Sequence, residues 1–252
     1  MEFSQNPIDN VEKVFNNVEM PERPAYAHYI AGETLRIAGI PEEALKEYIK
    51  AIFIDKDYAR AYKGLGLANK KLGNLKEAIL NLERSIEKMP FDKQAYNELA
   101  ICYMETQQYG KALKVLRKAL RIDPTYIEAS FNLAVVHEMI DEYKMAFAIY
   151  NKIIEIHPSY IAAYNNIASL HLRTNNQRAA IAIYKRLLEI NVDYSRAYLG
   201  LALAYDVLGK TGLSKIFYKE YLKRHPHSEN RGCIIKRIGD MKITSSAHLR
   251  LL

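Results

Sequence analysis

The chain has 252 residues, 49% of them apolar, with 19 tyrosines, no tryptophan and a formal net charge of +7. No apolar run approaches the roughly 20 residues needed to cross a bilayer, and two cysteines, Cys102 and Cys233, are too few for a disulfide framework. The opening MEFSQNPIDN has neither the basic start nor the apolar segment of a secretory signal, so a cytoplasmic protein without membrane insertion is expected.

The charge is unevenly spread. Residues 195–252 hold 11 Lys/Arg against 4 Asp/Glu, whereas residues 1–194 hold 25 of each sign. Basicity therefore belongs to the C-terminal end.

The first predicted element follows Asn6-Pro7, where Ile8, Val11, Val14, Phe15 and Val18 share one face of a helix that stops near Pro21 and Pro24. From residue 25 the chain is periodic. Proline recurs at 90, 124, 158 and 226, in steps of 34 or twice 34, which divides the chain into 25–58, 59–92, 93–126, 127–160, 161–194 and 195–228. Taking proline as position 32, position 8 is Gly32, Gly66, Ala100, Ala134, Ala168 and Ala202, and position 20 is Ala44, Ala78, Ala112, Ala146, Ala180 and Ser214. Position 24 is Tyr48, Leu82, Leu116, Tyr150, Tyr184 and Tyr218. Positions 4, 7, 8 and 11 fall on one side of a first helix, and positions 20, 24, 27 and 28 on one side of a second. Between them, position 15 is Gly39, Gly73, Gln107, Asp141, Asn175 and Gly209, and five of these six residues are types that accept a left-handed backbone. Each unit is thus predicted to be a helical hairpin whose small residues let its two helices approach closely. One hairpin cannot bury its apolar face alone, so neighbours must stack.

These columns resemble the tetratricopeptide repeat family, with its aromatic at 4, Leu-Gly/Ala at 7–8, Ala at 20 and Pro at 32, over 204 of 252 residues. The resemblance implies an all-α, right-handed superhelical solenoid of six hairpins, with residues 1–24 and 229–252 as N- and C-terminal caps. The departures are His28 and Ser130 at position 4, and Lys56 and Val192 in place of proline, where the turn is expected to weaken. After Pro226, Ser228 is expected to cap a last helix with Ile234, Ile235 and Ile238 facing inward.

Positions 2, 6, 9 and 13 lie opposite the buried side of the first helix, flanked by 5 and 12. In the tetratricopeptide family this side lines the inner groove, and the resemblance implies a non-catalytic adaptor that binds an extended peptide or helix of another protein there. Asn132 and Asn166 at position 6, with Asn165 and Asn97 at position 5, can offer donor and acceptor to a peptide backbone. The position-6 pair resembles the asparagine ladder in the repeat domain of O-GlcNAc transferase. Leu67, Ile101, Phe131, Val135 and Met139 supply an apolar wall, and Lys63, Lys70, Lys71, Arg173 and Arg196 supply charge. The family's carboxylate clamp for chaperone tails is broken: Lys63 matches, but Leu67 and Glu98 replace its asparagines.

Walker loops, HExxH, CxxC and nucleophile elbows are absent from the sequence, so no catalytic residue, metal or cofactor is assigned. His137 and His171 occupy a core column at position 11, and Cys102 sits in an apolar column where burial makes it inert. Alternatives to the adaptor are RNA or another polyanion on the basic end (Lys219, Lys223, Arg224, Arg231, Lys236, Arg237), or a targeting arm of an enzyme assembly such as a glycosyltransferase.

Overall fold

The computed structural model describes residues 24–241, and among these residues there are thirteen α-helices and no strand. In chain order they are α1 (Pro24–Ile37), α2 (Pro41–Ile54), α3 (Ala59–Lys71), α4 (Leu75–Lys88), α5 (Lys93–Glu105), α6 (Tyr109–Ile122), α7 (Ile127–Met139), α8 (Tyr143–Ile156), α9 (Ile161–Arg173), α10 (Gln177–Ile190), α11 (Ser195–Val207), α12 (Thr211–Arg224) and α13 (Arg231–Asp240). From α2 to α12, alternate helices start 34 residues apart without a slip. The amphipathic helix expected before Pro24 and the tail after Met241 lie outside the described residues.

Two turn types keep this register. At position 15 all six residues have positive φ: Gly39 80°, Gly73 79°, Gln107 57°, Asp141 60°, Asn175 60° and Gly209 68°. The next amide reaches back five residues to close the helix, as in Gln108 N to Tyr103 O at 2.7 Å and Asn176 N to His171 O at 2.8 Å. Gln107 adopts this conformation although its side chain gives it no local advantage, so the register dominates local preference. At the return turn, the amide of position 34 donates to the carbonyl of position 31 in all six cases, from Tyr58 to Asp55 (3.2 Å) through Ser228 to His225 (3.2 Å). The turns at Lys56 and Val192 are not weakened by the missing proline. In each the preceding Asx side chain accepts the amide two residues on, Asp55 from Asp57 at 2.9 Å and Asn191 from Asp193 at 3.1 Å, the bond that Asp123 also accepts from Thr125 beside Pro124.

The chain divides into two compact units, one ending at Asp141 and one starting at Glu142, so α7 belongs to the first and α8 to the second. In the first, α1 packs on α2, α3 on α4 and α5 on α6, while α1, α3, α5 and α7 stack successively. In the second, α9 packs on α10, α11 on α12, and α9 on α11. Position 20 is fully buried in all six repeats, and where serine replaces alanine, Ser214 Oγ donates to the position-8 carbonyl of Ala202 at 2.9 Å. Each unit has its own core, around Leu82, Leu99, Tyr103 and Leu116 in the first and around Tyr164, Tyr184, Leu187 and Leu201 in the second.

A further close approach links position 24 of one repeat to position 6 of the next. A Cβ added to Gly64 would lie 2.4 Å from the Tyr48 ring, and one on Gly200 would lie 2.2 Å from the Tyr184 ring. Both tyrosines are buried, so the ring occupies the volume that a side chain at position 6 would take. In the second unit the last hairpin is closed by α13. Ile234 is buried and Ile238 packs beside it against Tyr218 and Tyr221, but Ile235, expected inward, is half exposed at 49%. Asn230, not Ser228, stands at the cap position of α13; the Ser228 hydroxyl pairs with Tyr221 at 2.9 Å and accepts the Asn230 amide at 3.3 Å.

Gly200→Ala is therefore expected to cost about 1–3 kcal/mol by overpacking. Denaturant melts of Gly200→Ala, Tyr184→Leu and the double variant should show a coupling of at least about 1 kcal/mol. At position 15, Gln107→Gly should raise stability by about 0.5–1 kcal/mol by relieving the left-handed backbone, read as a higher denaturation midpoint at unchanged slope.

Candidate ligand-binding cleft

The inner positions behave differently in the two units. In the first unit they are occupied by the protein's own partners. Lys63 Nζ is 2.7 Å from Asp92 Oδ2, while Asp92 Oδ1 accepts from the Gln94 and Ala95 amides at 3.0 and 3.1 Å. Lys63 thus braces the N-cap of α5 and cannot simply be assigned to charge selection. Lys70 pairs with Glu98, and Arg36 with Glu33 at 2.8 Å. Asn132 Nδ2 donates to Oδ1 of buried Asn97 at 2.8 Å. Leu67, Ile101, Phe131 and Val135 are half-buried, Met139 is 49% exposed and Lys71 is exposed.

In the second unit the position-6 asparagine also serves packing. Asn166 Nδ2 donates to the hydroxyl of buried Tyr150 at 2.8 Å, and its Oδ1 accepts from Asn165 Nδ2 at 3.3 Å. Asn166 follows the same rule as Gly64 and Gly200: where a tyrosine fills position 24, the next position 6 is either empty or a polar group that bonds the phenol. The ladder expectation needs correcting to that extent. An amide has further donor and acceptor capacity, but one N–H of each asparagine is already committed inside the chain.

Beside these asparagines the second unit opens into a cleft of about 760 Å³. It is lined on α9 by Asn165, Ser169, Leu172 and Arg173, and on α11 by Arg196, Leu199 and Leu203, with the Tyr184 phenol beneath. These are positions 2, 5, 9, 12 and 13 of their repeats, so three residues expected at the inner face, Asn165, Arg173 and Arg196, share one cavity. Leu203 is 43% exposed, an apolar side chain left uncovered on the cleft wall. Arg173 is steadied by Tyr143, its Nη2 donating to the hydroxyl at 3.1 Å with the guanidinium 5.2 Å from the ring centre. Arg196 is exposed and forms no ion pair among the described residues. The far wall is the turn carrying His225, His227, Ser228, Glu229 and Asn230. Sequence reasoning missed this wall, because the 225–230 segment reads only as a return turn, and its place follows from α12 packing back on α11.

The remaining titratable groups have packing roles. Cys102 is fully buried, which pushes its thiol up to about 11. His137 is buried, and His171 packs tilted against Phe147 with ring centres 4.6 Å apart, where burial lowers its pKa. Two cations of the basic end, Arg224 and Arg237, are paired within the protein, whereas Lys219, Lys223, Arg231 and Lys236 form no ion pair among the described residues. Arg237 donates to both Asp206 oxygens at 2.6 and 2.8 Å, and Arg224 pairs with Glu220 and lies 4.0 Å from the Tyr198 ring centre. Among the described residues no three His, Cys, Asp or Glu side chains converge as a metal site, and no helix is long and apolar enough to cross a membrane.

Family models described as TPR repeat match residues 32–73 and 102–141, and models described as tetratricopeptide repeat match 128–160, 161–193 and 196–228. The chain belongs to the tetratricopeptide repeat family. Among curated relatives of this tetratricopeptide protein, Photosystem I assembly protein Ycf3 of Cuscuta gronovii is 31% identical over 116 residues, spanning 42% of this chain and 69% of the relative. Among solved structures, PilW, a type IV pilus biogenesis factor, matches with a TM-score of 0.75 at 14% identity, covering 85% of this chain and 99% of PilW. YrrB, a TPR protein with an unusual peptide-binding site, matches with a TM-score of 0.57 at 16% identity, covering 75% and 97%. At these identities the structures share the tetratricopeptide fold.

Two outcomes follow from this geometry. Asn166→Ala removes a partner of the buried Tyr150 hydroxyl and should cost about 0.5–1.5 kcal/mol in a denaturant melt. His171 has its folded pKa below the unfolded value, so the unfolded chain binds more protons around pH 6 and stability falls as pH drops through that range. His171→Phe should flatten that part of the pH–stability curve, measured as the difference from wild type.

Proposed function

We propose that this protein is a non-catalytic adaptor that holds an extended segment of a partner protein in the cleft between α9 and α11. The observation that carries the proposal is the lining: apolar Leu172, Leu199 and Leu203, polar Asn165 and Ser169, and one arginine from each helix, Arg173 at the end of α9 and Arg196 at the start of α11. Apolar pockets give an extended chain its affinity, and placed polar groups fix its register. Arg173 and Arg196 favour a segment with a carboxylate near its apolar anchor. The named assembly role of Ycf3 and the peptide-binding site named for YrrB support the same class of function. Free Cys102 and Cys233 fit a reducing compartment such as the cytoplasm. Because the cleft walls are helices, most of the ordering cost falls on the partner segment, which sets affinity in about the micromolar range.

Peptides selected from a random library on the immobilised protein should be enriched in an apolar residue next to Asp or Glu. Leu203→Asp and Arg196→Glu should each weaken the selected peptide at least about tenfold in fluorescence anisotropy. Equal affinity for both variants and wild type would rule out this cleft as the binding site.

A further inference from the structure

Helix α6 carries a second feature, in the other unit. Its sequence YGKALKVLRKALRI holds five cations, Lys111, Lys114, Arg117, Lys118 and Arg121, and no acidic residue. At 100° per residue the five fall within an arc of about 120°, opposite the buried Ala112, Leu116 and Ala119. All five are exposed, and among the described residues none forms an ion pair. That sets α6 apart from α4, which balances Lys76, Arg84 and Lys88 with Glu77, Glu83 and Glu87. Unrelieved like charge along one helix lowers its stability, since neighbours at i and i+4 repel. Packing alone gives no reason for five cations and no anion there.

We infer that the solvent face of α6 is a docking surface for an acidic helix of a protein partner. Lys111, Lys114, Arg117 and Arg121 follow one another at three or four residues, with Lys118 beside Arg117, so the charge rises along the axis in steps of about 4.5–6 Å, the spacing at which a facing helix presents one carboxylate per turn. Two of the five are held in place. Lys111 lies 5.3 Å from the Tyr103 ring centre and Lys118 lies 5.7 Å from that of Tyr96, which lowers the entropy lost on pairing. Between the charges, a shallow depression of about 620 Å³ lined by Lys114, Arg117, Lys118, Leu120 and Arg121 has room for an apolar side chain of that helix over Leu120.

The same surroundings disfavour other anions. Single-stranded nucleic acid is held by stacking on exposed aromatics, but Tyr96 and Tyr103, the rings beside these lysines, are buried, and α6 itself carries no exposed large apolar side chain. The same lack leaves nothing to insert into an acyl layer, which a basic interfacial helix needs for firm membrane attachment.

The test uses the full chain and a fluorescent helical peptide of about 20 residues with glutamate on one face at every turn. At low salt it should bind in about the micromolar range and weaken with added salt. Joint reversal of Lys114, Arg117, Lys118 and Arg121 to Glu should cost at least about tenfold, while Arg178→Glu with Lys185→Glu on α10 should change affinity less than about twofold. A Gln version of the four-site variant gives the same reading if the Glu version unfolds. A proline-broken peptide of the same composition should bind at least about tenfold more weakly. The inference is overturned if the helical peptide fails to bind, if neither four-site variant weakens it, or if the broken peptide binds equally well. Tighter binding of an RNA oligomer, a DNA duplex or phosphatidylserine vesicles than of the peptide overturns it as well.

Discussion

The structure depends on helix backbones coming close enough for a ring from one repeat to sit under the next. Tyr48 fills the space above Gly64, Tyr184 fills that above Gly200, and Tyr150 reaches the amide of Asn166. A buried aromatic removes about 150–250 Å² from water, on the order of 4–6 kcal/mol as an upper bound. That gain exists only where the opposing position is empty or bonds the hydroxyl. Position 6 of a repeat is therefore set by position 24 of the one before it, which restricts what the inner face can offer a ligand.

The two units present different inner surfaces, although Gly64 faces Tyr48 in the first just as Gly200 faces Tyr184 in the second. In the first, Glu98 follows Leu82 and reaches Lys70 of the repeat before, while Lys63 is drawn to the Asp92 cap of α5, so charge is spent inside the unit. In the second, Gly200 follows Tyr184 and leaves the α11 backbone bare, and the cleft forms there, with Leu199 and Leu203 on its wall and Arg196 uncompensated at its edge. The Tyr184 ring fills the volume over Gly200 itself, and the room for a ligand lies beside it, between α9 and α11. Charge on α6 is left over from both uses, being neither buried nor paired.

Local chemistry carried much of the reading from sequence. Helix starts, both turn types and the buried small columns follow from spacing, because helical period and left-handed turn residues act over a few residues. Even where the local signal failed, at Gln107, Lys56 and Val192, the register held, since neighbouring repeats and an Asx bond at the two return turns fix the same geometry. Less legible were the roles of individual polar side chains. Asn132 and Asn166 share one column, yet one bonds an asparagine in the preceding repeat and the other a tyrosine, partners 35 and 16 residues away in the chain.

The sequence by itself determined the helical repeat, its period of 34 and which face of each helix is buried. These depend on residue type at fixed short spacing, and the physics of helix and turn is local. Only the tertiary structure decided which inner residues are spent on the protein and which are left for a partner. It paired Lys63 and Lys70, left Arg196 unpaired, turned Ile235 outward and brought residues 225–230 to the cleft. A side chain's availability depends on what the neighbouring repeat places within about 3 Å of it, which a hydrogen bond or ion pair requires and repeat spacing does not specify.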